Sequence, residues 1–125
     1  MNTVTAQLND YRQSPRKVRL VATAIKGKSV AEAKNRLEFI TKRAVTPLHK
    51  LLNSAIANAK NVGLDTDNLL VKSLTVDAGK ILYRRMPVAH GAAHPIRKRT
   101  SHVKIVLLEQ EAKNEKQKTK NKSKQ

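Results

Sequence analysis

The sequence predicts an α+β fold, with three helices packed on a small antiparallel three-stranded sheet and a long protruding β-hairpin. Three stretches between residues 15 and 61 repeat apolar residues at helical spacing, whereas 69–83 and 103–108 are rich in Leu, Val, Ile and Thr. Between those two runs, residues 84–99 contain Pro87, Gly91 and Pro95 and show no regular period. Strands that pair across this segment make a hairpin far longer than the usual connection of about two to five residues.

Taken in order, Val4, Ala6 and Leu8 alternate within 3–11 and suit a third strand beside the hairpin base. Ser14-Pro15 reads as an N-cap serine followed by proline at the first helical position, where the missing N–H costs nothing. Val18, Val21, Ala22 and Ile25 form the stripe of that first helix, and Gly27 offers a left-handed stop. Ser29-Val30-Ala31-Glu32 has capping-box spacing and opens a short helix with Val30, Ala33 and Leu37 on one side. A longer helix is expected over 41–61 through Ala44, Leu48, Leu51, Leu52, Ala55, Ile56 and Ala59, ending at Gly63. Pro47 interrupts it: either the helix kinks, or Thr46 caps a second start and 41–45 form a separate turn. Pairing continued for about eight to ten residues per hairpin arm, at about 3.3 Å each, would project roughly 25–30 Å.

The 125 residues fit one domain, placed at 1–110 with the hairpin at about 78–103 and a lysine-rich, disordered tail at 111–125. Tyr11, Phe39 and Tyr83 are the only aromatics, so the core must be aliphatic. With no cysteine, disulfides, thiolate metal sites and cysteine nucleophiles are excluded. No apolar run nears the ~18 residues of a membrane span, and the N-terminus lacks a signal-peptide core, so an intracellular, soluble protein is expected.

The formal charge is +17, from 26 Lys and Arg against 9 Asp and Glu. A compact fold carrying it repels itself, and a polyanion is the expected partner, nucleic acid before an anionic membrane. Residues 11–31 contain no acid but hold Arg12, Arg16, Lys17, Arg19, Lys26 and Lys28. Residues 78–108 again lack acid and hold Lys80, Arg84, Arg85, Arg97, Lys98, Arg99 and Lys104. The middle, 32–77, is nearly balanced and carries much of the apolar content. Lys and Arg displace counterions condensed on phosphate, giving affinity without sequence reading. Three aromatics cannot build the stacking platforms of single-strand binders, although Tyr83, at the root of the tip, could stack on one base; packing under the hairpin is the plainer alternative. His90 and His94 lack the helix and carboxylates of a metal pair, and no nearby acid orients His102 for catalysis. For His102 a hydrogen bond to RNA or backbone is expected, and for His49 a surface or boundary position. Neither catalytic residue, cofactor nor metal is expected.

The runs Ser14-Pro15-Arg16-Lys17-Val18-Arg19-Leu20-Val21, Leu52-Asn53-Ser54-Ala55-Ile56-Ala57-Asn58-Ala59 and Lys98-Arg99-Thr100-Ser101-His102-Val103 resemble, in order and spacing, the family of ribosomal protein twenty-two of the large subunit. The likeness covers about residues 3–109. It implies a non-enzymatic domain near the tunnel exit, bound to large-subunit RNA across several RNA domains and beside neighbouring ribosomal proteins, with a role in early assembly. It also implies a hairpin that threads through RNA and lines the nascent-peptide tunnel with Arg84, Arg85, Met86, Pro87, Val88, Ala89, His90 and Gly91. That family commonly has Arg or Lys where this chain has Val88, His90 and Ala92, so the tip is less cationic. Ser101 and His102, within the third run, join the basic residues as expected RNA contacts. The expected location is the ribosome of a bacterial cytoplasm, or of an organelle encoding its own ribosomes, with no membrane contact and no homo-oligomer. A free basic nucleic-acid-binding protein is the alternative, and a peripheral membrane binder ranks last because the tail lacks apolar anchors.

Overall fold

The computed structural model of the chain describes residues 2–110, and the expected tail at 111–125 lies outside them. The first strand, β1 (Thr3–Tyr11), buries Val4 and Ala6 and turns Thr3, Thr5 and Gln7 outward, as its alternation requires. Three helices follow: α1 (Pro15–Ile25), α2 (Val30–Phe39) and α3 (Val45–Val62). The remaining strands are β2 (Leu69–Ala78), β3 (Leu82–Pro87), β4 (Ala93–Lys98) and β5 (Ser101–Glu109). They form two antiparallel sheets, one in the order β1-β5-β2 and the other the two-stranded ribbon β3-β4.

The helix ends correct some expectations. Ser14 is the extended residue ahead of α1, but its side chain makes no capping bond; Pro15 and the Val18 N–H to Ser14 carbonyl bond (3.3 Å) start the helix. At the other end, Lys26 leaves α1 in an extended conformation and Gly27 takes φ +77° one residue later. Its N–H donates to the Val71 carbonyl at 3.1 Å, and the Val71 N–H returns to Lys28 at 2.9 Å. The α1–α2 turn is thus stitched to the β2 edge. Ser29 Oγ accepts from the Glu32 N–H at 3.3 Å, one half of the capping box, while the Glu32 carboxylate pairs with Arg36 one turn on. Helix α3 begins at Val45, not at 41, so Pro47 lies in its first turn, where an N–H would have no intrahelical acceptor. Ala44, not Thr46, occupies the capping position. At its far end Gly63 (φ +90°) bonds to Lys60 and Leu64 to Ala59, a Schellman closure that only a left-handed residue completes easily.

All three helices lay their stripes on one face of the three-stranded sheet. The core is aliphatic: Val18, Val21, Ile25, Leu37, Leu48, Leu52, Ala55 and Ala59 meet Val71, Leu74, Val103, Ile105 and Leu107. A bulge between Val71 and Ser73 shifts the inward set of β2 from Leu69 and Val71 to Leu74 and Val76. A one-residue slip flips every later side chain, and here the flip keeps leucine and valine inside.

The expected strand over 69–83 is two strands, parted at Gly79-Lys80-Ile81. The Gly79 N–H still reaches the Thr100 carbonyl at 2.9 Å, and Thr100 Oγ1 donates to the Lys80 carbonyl. A Cβ on Gly79 would sit 2.6 Å from that hydroxyl oxygen, which accounts for glycine here. Beyond this root, pairing runs from Leu82↔Lys98 to Pro87↔Ala93, six residues per arm where eight to ten were expected. The paired length is about 20 Å at ~3.3 Å per residue, and residues 83–87 and 89–99 are all exposed.

Leu52, wholly buried between α3 and the sheet, should lose about 2–5 kcal/mol on Leu52→Ala in urea unfolding. Pro47→Ala should cost at most about 1 kcal/mol. A gain near the ~3 kcal/mol of an interior helical proline would contradict the helix start at Val45.

Candidate nucleic-acid interface

The bulged end of β1, the first turn of α1, the loop before α3 and the return arm of the ribbon meet around a cleft of about 620 Å³. Arg12, Gln13, Ser14, Lys17, Arg43, Arg97, Lys98 and Arg99 line it, six cations and no acid. The cleft joins the two acid-free stretches, which lie far apart in sequence. It also adds Arg43, which the charge-run reading missed because that residue stands in the balanced middle of the chain. Its only sequence signal is the pair Lys42-Arg43 in the break ahead of α3.

Local hydrogen bonds hold the walls. Tyr11 pairs with Ser101 across β1 and β5, and Ser101 Oγ donates to the Gln13 carbonyl at 2.6 Å. Ser101 is therefore a correction to the expected RNA contacts: it is fully buried and fastens the β1–α1 corner instead. The Tyr11 hydroxyl donates to Gln13 Oε1 at 2.8 Å and fixes that side chain as well. Ser14, free of a capping role, faces the cleft at the positive end of α1. Among the described residues the Lys and Arg ion pairs come down to Arg36–Glu32, and Asp10 Oδ1 stands 4.0 Å from His102 Nδ1, so all six cleft cations lack a carboxylate partner.

The other expected contacts scatter around this centre. Arg16 is exposed on α1, and Lys26 is exposed just past its end, while Lys28 is half-buried. Arg19 is partly engaged within the protein, since its Nε and Nη2 donate to the Val76 carbonyl at 3.1 and 2.8 Å. Lys80 is exposed at the ribbon root, Arg84 and Arg85 on the outgoing arm; Arg84 Nη1 donates to the Tyr83 carbonyl at 2.8 Å. His102 Nδ1 accepts the Asp10 N–H at 3.1 Å and steadies Asp10 at φ +57° in the bulge. Its expected backbone bond is thereby made within the protein. At the tip, Met86 and Pro87 end β3, and Val88 closes the loop by donating to the Ala92 carbonyl at 2.9 Å. Ala89, His90 and Gly91 form a single turn in which His90 (φ +62°) and Gly91 (φ +71°) are both left-handed.

A concave wall of unpaired guanidinium and ammonium groups suits a phosphate backbone, where Arg forks grip two oxygens and Lys acts as a point charge. Arg43→Ala should weaken binding to a structured RNA and lower the salt slope, d log K/d log[salt], by about one unit, with the circular dichroism unchanged. An unchanged slope would remove Arg43 from the interface.

Residues 6–108 match the family model described as ribosomal protein L22p/L17e. The chain is 53% identical over 106 residues to large ribosomal subunit protein uL22 of Mesoplasma florum, covering 84% of this chain and 95% of that one. The uL22 of Desulfitobacterium hafniense is 52% identical over 99 residues, 78% of this chain and 87% of the relative. That of Deinococcus radiodurans is 52% identical over 99 residues, 78% and 74% of the two chains. The matched span takes in all three helices, the ribbon, most of the three-stranded sheet and every residue of the cationic cleft, so the chain belongs to the ribosomal protein L22p/L17e family.

Proposed function

We propose that this protein is a structural, non-enzymatic constituent of the large ribosomal subunit that binds its ribosomal RNA through the cationic cleft and the ribbon. The observation that carries this reading is the six-cation cleft at the root of a ribbon that has no core of its own. Two six-residue strands with exposed residues on both faces are marginal in water; packed within RNA, the same ribbon gains phosphate partners and loses its exposure. Arg12, Lys17, Arg43, Arg97, Lys98 and Arg99 grip the backbone at the cleft, with Arg16, Lys26, Lys80, Arg84 and Arg85 extending the positive surface along α1 and the outgoing arm. The names of the relatives support the assignment to the large subunit.

The finer parts of the proposal rest on the family resemblance. The domain sits among neighbouring ribosomal proteins at the subunit surface, joins several RNA domains and so supports assembly. Its tip, from Arg84 to Gly91, lines the nascent-peptide tunnel. Val88 closes the loop through its backbone and no Lys or Arg stands at 88, 90 or 92, so the guanidinium groups of this tip are those of Arg84 and Arg85.

Sedimentation of a lysate on a sucrose gradient, before and after a high-salt wash, tests the assignment. The chain should remain stoichiometric with the large subunit after the wash, and residues 84–99 should be protected from trypsin there but cut in the free protein. Release to the top of the gradient would instead favour a free basic nucleic-acid-binding protein held by charge alone.

A further inference from the structure

Cross-strand register divides the ribbon into two unlike faces. Residues directly opposite one another share a face, and faces alternate along each strand. Tyr83, Arg85 and Pro87 therefore lie with Arg97, Pro95 and Ala93, whereas Leu82, Arg84 and Met86 lie with Lys98, Ile96 and His94. The first face carries an aromatic ring, two guanidinium groups and otherwise only proline and alanine.

Tyr83 is the one aromatic residue of the ribbon and stands opposite Arg97, itself a wall of the cationic cleft. The alternative of packing under the hairpin is not met: the residue is 59% exposed and takes no part in the core cluster, unlike Tyr11. Among the described residues its hydroxyl has no hydrogen-bond partner. A solvent-facing ring would ordinarily be a liability on a ribbon this short. Between Arg85 and Arg97, with no acid from 78 to 108, its surroundings suit a flat ligand attached to phosphate.

We propose that Tyr83 is a stacking site for a single unpaired nucleobase of RNA, with Arg97 and Arg85 holding the flanking phosphates. The inference rests on the RNA-binding reading above and adds to it a residue that contacts a base where its neighbours contact backbone. Stacking is tolerant of base identity, because every base has a π-face, so the site selects an unpaired nucleotide rather than a sequence. The opposite face, with Leu82, Met86 and Ile96, is left for a different environment.

The chain has no tryptophan, so Tyr83→Trp places a single reporter at the site. The full-length variant is assembled into large subunits with deproteinised ribosomal RNA and the other subunit proteins, then irradiated at the indole band. A cross-link to one unpaired nucleotide, together with protection from acrylamide quenching relative to free protein, is the expected result. Tyr83→Ala, at an exposed position, should keep the fold and bind the RNA about tenfold more weakly, while Tyr83→Phe should bind as the parent does. Incorporation with the indole as open to acrylamide as in free protein, or with cross-links to protein only, overturns the stacking site and leaves RNA binding intact. Failure of parent and variants alike to bind the RNA overturns both.

Discussion

A knot of hydrogen bonds around Thr100 and Ser101 sets the geometry on which the rest of the interface depends. Thr100 receives the Gly79 N–H on its carbonyl and donates its hydroxyl to Lys80, closing the two arms where the sheet ends and the ribbon begins. Ser101, one residue on, faces the other way and ties the β1–α1 corner to β5 through Gln13. Both residues are buried, and their hydroxyls are satisfied. Two adjacent small polar residues thus fix the ribbon's departure from the domain and the distance between the cleft walls. In a low-dielectric setting such bonds are costly to leave unmade, so the corner has one good arrangement.

That rigidity has to withstand strong internal repulsion. The core is aliphatic and one layer deep, helices on one side of three strands, while the chain bears a formal +17. The structure reconciles the two by separation. The apolar stripe of α3 and the inward faces of β2 and β5 hold the domain together, and the densest positive charge lies along α1, in the cleft and on the ribbon. Charges kept at the rim are screened within about 8 Å at physiological salt, so they cost the fold less than buried ones would.

Much of this organisation was legible in the chain. The helical stripes named their buried residues correctly from Val18 to Ala59, because a 3.6-residue period leaves little freedom about which side faces a sheet. β1 was legible by its alternation as far as Leu8, where the bulge before Tyr11 interrupts it. The start of α3 was less legible than those of α1 and α2, since Pro47 is compatible with a kink or a first turn. The β2 bulge left no signal, as a Leu-Leu-Val-Lys-Ser-Leu-Thr-Val run supports either parity. For the site, charge runs located three of the four cleft walls but not Arg43, and the family-like run at 98–103 counted Ser101 as a contact. Charge and motif are one-dimensional, and whether a hydroxyl points outward is settled by strand register, here Tyr11 opposite Ser101.

The stitching of the α1–α2 turn to β2 has a further consequence. An open sheet normally offers its outer strands as templates on which another chain can add a strand. Here the β2 edge is occupied by Gly27 and Lys28 at Val71 and by the Arg19 guanidinium at Val76. The β1 edge is occupied at Thr5 by the Asn58 side chain, 3.1 Å away. Both margins of the sheet are thus partly closed from within the same molecule. A strand added by a second copy of the chain would have to displace these bonds, so the three-strand width of the sheet is set by contacts the molecule makes with itself.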